Sequence, residues 1–354
     1  MTGSHIIPQF YLKQFGTPSQ MGPDKPWRIW VYERQQTPDE RATTVQGRKN
    51  GYFAFTKPDA GVDESLEKDL ADREDDCNDI LASAKSFLFD WSLNHRNKLA
   101  FYMGMLHSRA TQRREFTVSN WTRIIGEYCE LIKDEQYIAD LTAEYQTRFP
   151  HENVTTDAIR NRLAELANAF QKPEAAKNIF VRDVLNHAEL IKQALLNKPW
   201  QLWIAPAGAE FITSDNPVVS FVPLQNGEFH PGHGFAKPET VIAFPLAPDV
   251  CLVIGVPGPY PVMRVNRDVQ ALTKLNEVLI MLCDRYVYSK TLSEEIKKSV
   301  DQSAGMARYG LNAFVRAGER RPSVKDFFRR NLRLPSSEYA GDAKISQTSQ
   351  NQKI

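Results

Sequence analysis

Phe211-Ile212-Thr213-Ser214-Asp215-Asn216-Pro217-Val218-Val219 (residues 211–219) places a dense polar turn inside an apolar run. The segment 200–204 precedes it and the segment 241–246 follows it, and both are rich in β-branched and aromatic residues. The turn is therefore predicted to connect strands of a sheet. Its concentration of turn-forming and ligand-type residues makes this loop the first candidate for a functional site.

Working outward from the loop, strand patterns and helix patterns occur in separate runs. Strands are predicted at 27–32, with a weaker partner at 51–55, and then at 200–204, 210–213, 218–222, 241–244, 251–256 and 285–289. Between them, apolar residues recur at helical spacing, with helices at 63–88, 99–110, 121–138, 156–170 and 179–196. Because the two kinds of element do not alternate, the fold class is α+β. We expect a mixed or antiparallel sheet, built from N-terminal and C-terminal strands and packed against a central helical block. Two separate domains are the competing arrangement.

The expected organisation is one α+β domain over residues 1–290, with its helical block at about 63–198. A basic helical extension follows at 291–334, and a Ser/Gln/Asn-rich tail at 335–354 has too little apolar content to fold. The extension is strongly basic near its end, at Arg316, Arg320, Arg321, Lys325, Arg329, Arg330 and Arg333. Such a run contacts nucleic-acid phosphates in some proteins and is a solvated helix face in others.

Composition excludes several classes of protein. The net charge is +1, so no global field attracts nucleic acid or an anionic membrane. The four cysteines form no CxxC pair, which predicts free thiols in a reducing cytosol, not a zinc site or a disulfide framework. Neither a membrane-spanning apolar run nor a signal-peptide pattern is visible. We therefore expect a cytoplasmic protein with no membrane partner.

The loop at 213–217 offers ligands for a substrate or a metal ion. Asp215 could serve as a metal ligand or a base, and Ser214 and Asn216 could donate hydrogen bonds to a substrate. The alternative is a turn in which Asp and Asn fold back onto their own backbone. No GxSxG pattern supports Ser214 as a nucleophile.

His5 lies in an apolar segment that Pro8 holds extended, so packing should fix its position. A histidine of near-neutral pKa can be a base, a metal ligand or a phosphate contact, whereas a terminal histidine is commonly only solvated. Arg109 and Arg113 are one turn apart on the second predicted helix, at the margin of its apolar face. They could hold an anion between them or form ion pairs with acids of the preceding helix.

Glu67 and Glu74 are seven residues apart and so share one face of that preceding helix. They could complete a carboxylate cluster with Asp215 that holds a metal ion. The alternative is that they form salt bridges with Arg109 and Arg113. The familiar phosphate-loop, dinucleotide, HExxH and zinc patterns are absent from the sequence.

Several segments together resemble a known family. HIIPQFYLKQF at 5–15, WVYER at 30–34, FITSDNPVV at 211–219, FPLAPD at 244–249 and VYSK at 287–290 resemble the domain of unknown function 4238 family. The resemblance places the family's His at His5, its Pro at Pro8 and its Asp-Asn-Pro at 215–217. It places the family's middle-helix arginine at Arg109. The family name implies no activity.

The leading hypothesis is a hydrolase that acts on a phosphate-bearing small molecule or a nucleic acid, in the manner of a metal-dependent nuclease. His5 would be base or ligand, Asp215 would hold Mg²⁺ or Mn²⁺ or orient water, and Arg109 would take a phosphate oxygen. The alternative is a non-catalytic nucleic-acid or protein binding module, in which these three residues form a structural polar network. A subunit whose helical block serves only for assembly is the third hypothesis. The sequence does not indicate the oligomeric state.

Overall fold

A computed structural model describes residues 3–19, 25–57, 61–84, 90–224, 228–231, 234–258 and 262–307. The basic cluster at 316–333 and the tail at 335–354 lie outside these described residues. Contacts divide the chain into two compact units. The described part of the first lies within residues 3–119 and 176–307, and the described part of the second is Asn120–Ala175.

The helices lie mainly in the middle of the chain, as the apolar periodicity predicts. They are α1 Gln9–Lys13, α2 Ser65–Ser83, α3 Leu93–Ser108, α4 Thr111–Leu131, α5 Glu135–Arg148, α6 Thr156–Phe170, α7 Pro173–Leu196, α8 Val269–Leu282 and α9 Glu294–Ser303, with a 3₁₀ turn at Thr43–Val45. In five of them, the side chain of the residue before the helix accepts a backbone N–H of the first turn. These capping residues are Ser92, Asp134, Thr155, Asp268 and Ser293. No helix in the described part of the chain is both long and apolar enough to cross a membrane.

Two helix predictions are corrected by these bounds. Arg109 is the residue that ends α3, and Arg113 lies in the first turn of α4, so the two arginines are not on one helix. The single helix expected at 121–138 is instead the end of α4 and the start of α5, because Asp134 caps a new helix with its side chain.

The strands are short, and most of them belong to two sheets. They are β1 Gly3–His5, β2 Arg28–Glu33, β3 Asp39–Ala42, β4 Arg48–Asn50, β5 Phe55–Thr56, β6 Val62–Asp63, β7 Trp200–Ile204, β8 Thr213–Ser214, β9 Val219–Pro223, β10 Phe229–Pro231, β11 Val241–Ala247, β12 Val250–Ile254, β13 Met263–Asn266 and β14 Tyr286–Ser289. A six-stranded sheet has the order β10-β9-β11-β12-β7-β13, and a four-stranded sheet has the order β3-β2-β14-β8.

The α+β fold class is confirmed, and the four-stranded sheet does join the two ends of the chain. In it β14 pairs antiparallel with β2 on one side and with β8 on the other. The other partner of β2 is β3 and not the segment 51–55, because a hairpin pairs Arg28 with Ala42. The six-stranded sheet is formed by strands that begin at Trp200 or later. Every residue of its central strands β11 and β12 is buried, so both of its faces are covered there.

The N-terminal segment packs against the strand of the 213–217 loop. Tyr11 and Leu12 of α1 are fully buried. The Tyr11 hydroxyl lies 2.7 Å from Thr213 Oγ1 and donates to the Pro245 carbonyl at 2.8 Å. Its ring also stacks on Phe244 at 5.2 Å between centroids. One phenol thus joins the first dozen residues of the chain to both sheets.

Two glycines allow close approaches near this region. A Cβ on Gly104 of α3 would lie 2.5 Å from the Ala188 carbonyl of α7, so these helices pack backbone to backbone. Gly47 has φ of 63°, and its carbonyl accepts the Ile6 N–H at 2.7 Å. The left-handed turn at Gly47 sets the start of β4 beside the N-terminal segment.

The second unit has its own small core. It contains helix α5, helix α6 and the residues of α4 from Asn120 onward, around buried side chains that include Tyr128, Ile138 and Leu163. The Tyr128 hydroxyl donates to the Leu163 carbonyl at 3.1 Å. The candidate residues for function all lie in the first unit.

Candidate functional site

Two cavities in the first unit are lined by several of the residues that the sequence singled out. Cavity A has a volume of about 160 Å³ and is lined by His5, Phe53, Glu67, Leu70, Ala71, Glu74 and Arg109. Cavity B has a volume of about 430 Å³ and is lined by Ile6, Ile7, Arg41, Val45, Gln46, Gly47, Arg48, Lys49, Thr111, Glu115, Asp215, Asp284, Arg285, Tyr286 and Tyr288. Consecutive residues of the N-terminal segment thus contribute to different cavities.

The 213–217 loop is almost completely hydrogen-bonded within the protein. The Asp215 carboxylate accepts the backbone N–H groups of Asp284, Arg285 and Tyr286 at 2.7, 2.8 and 2.9 Å. Asn216 Nδ2 donates to the Leu282 carbonyl at 2.9 Å. The loop therefore fixes the segment that joins α8 to β14.

Ser214 completes this arrangement from within the loop. Its hydroxyl donates to the Asn216 carbonyl at 2.9 Å and accepts the Asn216 N–H at 3.2 Å. Ser214 and Asn216 are both fully buried, and among the described residues Asn216 Oδ1 is the one side-chain polar atom of the two without a hydrogen-bond partner. Neither residue lines cavity B. The contacts of both residues are with the protein itself, and their role in binding a substrate stays a prediction.

Asp215 and Asp284 form a close acidic pair in the lining of cavity B. Burial and the neighbouring Asp284 carboxylate raise the pKa of Asp215 to about 7, against the opposing effect of its three N–H donors. Burial likewise raises the pKa of Asp284. The Asp284 carboxylate also accepts the Gln112 N–H at 3.3 Å, at the first turn of α4. Two carboxyl groups that titrate abnormally in one cavity are typical of a functional site.

Cavity B also contains four basic side chains. Arg41 pairs with Asp39 at 2.9 Å and Arg285 pairs with Glu33 at 2.6 Å, so these two charges are partly neutralised. Arg48 and Lys49 of β4 have no carboxylate partner among the residues that the structure describes, and Lys49 donates to Thr111 Oγ1 at 3.2 Å. The cavity thus has a basic wall along β4.

The hydroxyl of Tyr288 is a further unusual group in cavity B. The residue is fully buried, and its oxygen has no hydrogen-bond partner among the described residues. Burial raises the pKa of this hydroxyl well above its ordinary value, so it remains a donor at neutral pH. A buried polar atom without a partner in a cavity wall is satisfied by water or by a ligand.

Arg109 occupies cavity A as a buried ion pair. Its side chain is 1% exposed, and its Nη1 donates to the Glu74 carboxylate of α2. The expected alternative for Arg109, an ion pair with an acid of the preceding helix, is therefore present. Its Nε and Nη2 atoms have no hydrogen-bond partner within the described structure. His5 lines the same cavity, where burial and then the charge of Arg48 lower its pKa.

The structure does not bring His5, Arg109 and Asp215 into one lining as expected. His5 and Arg109 line cavity A, Asp215 lines cavity B, and the described residues of the two linings have none in common. His5 is the last residue of β1, and the chain bends at Ile6 and Ile7, so that His5 lines one cavity and the two isoleucines line the other.

The expected metal and anion ligands are also redistributed. Glu67 and Glu74 line cavity A, away from the Asp215 carboxylate, so the three do not form the carboxylate cluster. Across the described ranges, no three His, Cys, Asp or Glu side chains are grouped so that they could hold a metal ion. Arg113 lines neither cavity, since its guanidinium contacts His187 Nε2 on α7.

A comparison with known families gives a match over most of the chain. The model of the family described as "Protein of unknown function (DUF4238)" matches residues 4–293. The chain belongs to this family. No curated protein and no solved structure matches it significantly. All residues that line cavities A and B fall within the DUF4238 region, so both cavities belong to the family domain.

The sequence did not single out the most polar part of the DUF4238 domain's cavity B. The sequence analysis missed Arg48, Lys49 and Asp284. The first two lie on a strand of only three residues and Asp284 lies just before β14, and neither segment contains a recognisable motif. One signal was available, because the two charged residues Asp284 and Arg285 come directly before a strand-forming segment. Charged residues at a strand end are a common position for binding groups.

Proposed function

We propose that this DUF4238 domain is a hydrolase acting on a phosphate-bearing substrate, with cavity B as its active site. The observation that carries the proposal is the combination of the Asp215–Asp284 acidic pair with the basic wall of β4 in one cavity. Phosphate-ester hydrolysis needs both components, because cations bind the phosphate and an acid–base group moves the proton.

The basic wall is suited to bind phosphate. Arg48 and Lys49 are adjacent on a strand whose position is fixed by pairing with β1 and by the turn at Gly47. A guanidinium can donate two parallel hydrogen bonds to phosphate oxygens, and an ammonium supplies a point charge. The Tyr288 hydroxyl adds a buried donor. In cavity A, by contrast, the Arg109 guanidinium is already paired with the Glu74 carboxylate, which disfavours a phosphate group.

Asp284 is the proposed acid–base residue. Its raised pKa brings the carboxyl closer to neutral pH, where it can take a proton from the attacking water and return one to the leaving oxygen. Asp215 is a positioning residue, because it holds the backbone of residues 284–286 through three hydrogen bonds. This assignment transfers the catalytic role that we expected for Asp215 to its neighbour.

Cavity B is preferred over a third cavity of similar size. That cavity, of about 450 Å³, is lined by Phe10, Lys13, Gln14, Gly16, Pro18, Trp27, Asn78 and Lys290. Its described lining contains two lysines but no carboxylate and no histidine, so it offers no acid–base group for hydrolysis.

The proposal is tested by turnover of bis(p-nitrophenyl) phosphate, p-nitrophenyl phosphate and a single-stranded oligonucleotide. The wild type should hydrolyse at least one of them, and Asp284→Asn should lose about 10²-fold or more in kcat. Arg182→Gln is the charge control, because this residue is exposed on α7 and lines neither cavity. Measurements with EDTA, Mg²⁺ and Mn²⁺ decide whether a metal ion takes part. Equal rates for the wild type and a folded Asp284→Asn protein would contradict the proposed acid–base role of Asp284.

A non-catalytic binding module is the second candidate function, and one observation favours it. The side chains of the 213–217 loop are bonded mainly to the backbone, as in a structural polar network. In that case the wild type would bind inorganic pyrophosphate in cavity B but hydrolyse none of the substrates. Asp284→Asn would then leave binding unchanged, and Arg48→Gln would abolish it.

A further inference from the structure

The third cavity, cavity C, combines aromatic, basic and amide side chains that the proposed hydrolase does not use. Five of them come from four parts of the chain: Phe10 and Lys13 of α1, Trp27 before β2, Asn78 of α2 and Lys290 after β14. All five are half-buried or exposed, so their side chains are accessible to a ligand. The volume of about 450 Å³ is within the range of roughly 300–1,000 Å³ that is usual for small-molecule pockets.

The indole ring of Trp27 is an unused stacking surface in this cavity. The side chain is half-buried, and within the described ranges it forms no aromatic pair, no cation–π contact and no side-chain hydrogen bond. Phe10 lines the same cavity, and its ring is held 5.8 Å from that of Tyr102. Flat bases stack on aromatic side chains of this kind. The cavity therefore favours a ligand that contains a flat ring.

Two ammonium groups give the described lining of cavity C a positive charge. Lys13 is the last residue of α1 and Lys290 directly follows β14, and neither forms a salt bridge with a described carboxylate. The charge of Lys290 also acts on the Glu210 carboxylate, but the two do not form a salt bridge. A phosphate monoester carries about two negative charges at pH 7, so it matches two ammonium groups better than a single carboxylate does.

The side-chain amide of Asn78 supplies a group that distinguishes one base from another. The residue is exposed on α2, and its amide has no hydrogen-bond partner among the described residues. An amide presents an acceptor oxygen beside a donor NH2 group. Adenine presents the complementary pair, the N6 amino donor and the N7 acceptor, whereas guanine presents two acceptors at the same edge.

We propose that cavity C binds an adenine mononucleotide such as adenosine 5′-monophosphate (AMP). The adenine ring stacks on Trp27, and its edge pairs with the amide of Asn78. The phosphate group lies between the ammonium groups of Lys13 and Lys290. An anion without a ring uses only the lysines, and an uncharged nucleoside uses only the ring and the amide, so each binds more weakly than the nucleotide.

This site does not depend on the proposed hydrolase. The described linings of cavities B and C have no residue in common, so binding in one can fail while the other remains functional. Because the proposed function also admits a phosphate group to cavity B, one variant of each cavity separates the two sites. These variants are Lys13→Gln for cavity C and Arg48→Gln for cavity B.

The test is isothermal titration calorimetry of the full chain with AMP, GMP, adenosine and inorganic phosphate. All proteins carry Asp284→Asn, which prevents turnover of the nucleotide at the proposed active site. AMP should bind, and GMP, adenosine and phosphate should each bind about tenfold or more weakly. Lys13→Gln and Lys290→Gln should each weaken AMP binding by about tenfold, and so should Trp27→Leu.

Two control variants should bind AMP like the parent protein. One is Arg48→Gln, which changes cavity B only. The other is Lys68→Gln, because Lys68 is exposed on α2 and lines none of cavities A, B and C. Lys13 and Lys290 are half-buried and exposed, so glutamine at these positions should leave the fold intact, and an unchanged urea unfolding curve checks this.

Four outcomes would overturn the proposal. They are no binding of AMP, adenosine or inorganic phosphate binding as tightly as AMP, GMP binding as tightly as AMP, and AMP binding that is lost in Arg48→Gln but kept in Lys13→Gln. The last result would place the nucleotide in cavity B. None of the first three changes the turnover result expected for cavity B, so the two proposals fail separately.

Discussion

The 213–217 loop and the Arg109 wall of cavity A are both buried and polar, but they differ in how their polar atoms are satisfied. In the loop, Asp215 takes three backbone N–H groups, and Ser214 and Asn216 bond to each other's atoms. Arg109 satisfies only one of its nitrogens within the described structure, and His5 leaves Nδ1 without a partner.

The difference separates structural from functional use of similar residue types. Buried polar groups whose bonds are complete stabilise one conformation of the chain and have little capacity left for a ligand. Buried polar groups with open positions in a cavity wall need a water molecule or a ligand. By this criterion the sequence motif around Asp215 is largely structural.

The largest expected effect is on the buried ion pair of cavity A. Glu74→Ala leaves the Arg109 charge without its partner, and breaking such a pair costs about 3–5 kcal/mol of the free energy of unfolding. Asp76→Ala is the matched control, since Asp76 also links α2 to α3, at 3.5 Å from Lys98, but is 62% exposed. The control should lose less than about 1 kcal/mol in urea unfolding. Equal losses would show that burial does not distinguish the two pairs.

A smaller loss is expected when the structural carboxylate of the loop is removed. Asp215→Ala leaves three backbone N–H groups without an acceptor and should lower the free energy of unfolding by about 2–3 kcal/mol. The comparison is Asp301→Ala, which removes an exposed acceptor of the Gln35 N–H and should cost less than about 1 kcal/mol. A loss for Asp215→Ala no larger than for Asp301→Ala would contradict a structural role for the loop.

The pH dependence of stability sharpens the interpretation of Asp215. Its pKa of about 7 in the folded state exceeds its ordinary value of 3.8, so between these values the native protein binds more protons than the unfolded chain. The contribution of Asp215 to stability is therefore fully present below about pH 4 and is lost as the pH rises through 7. Relative to Asp215→Asn, the wild type should lose stability over this range. The opposite slope would mean that the three N–H donors outweigh burial and the Asp284 charge.

The smallest expected effect is on the free energy of unfolding when either of two fully buried tyrosines loses its hydroxyl. Tyr11→Phe removes hydroxyl contacts to Thr213 and Pro245, and should cost about 1–2 kcal/mol. Tyr288→Phe removes a hydroxyl that has no partner among the described residues, so stability should change by less than about 0.5 kcal/mol. The same substitution should weaken ligand binding in cavity B. A loss of more than 1 kcal/mol for Tyr288→Phe, on the scale expected for Tyr11→Phe, would show that its hydroxyl has a structural partner.

Much of the fold could be predicted from the sequence because it depends on local patterns. The helix at 156–170 follows from its apolar spacing and its Thr155 cap, and the strand at 200–204 from its aromatic and β-branched residues. The bounds of α3 and α4 could not be predicted. Residues 109–110 interrupt the helix without a glycine or a proline, so no local signal marks the break.

The candidate site was predicted less completely, for a geometric reason. Tyr11 does bring the N-terminal segment to the 213–217 loop, as two polar motifs in one domain suggested. Whether His5 and Asp215 face the same cavity depends on the orientation of single side chains on a short extended segment. The chain bends at Ile6 and Ile7 directly after the three residues of β1, and no sequence pattern in so short a segment predicts which cavity His5 lines.

The most direct test of the account is a calorimetric titration of the wild type and Arg48→Gln with inorganic pyrophosphate. If the basic wall of β4 forms a phosphate site, the wild type should bind and Arg48→Gln should lose about tenfold or more in affinity, while Arg182→Gln binds normally. No binding to the wild type, or equal affinity in all three proteins, would contradict the assignment of cavity B as a phosphate site.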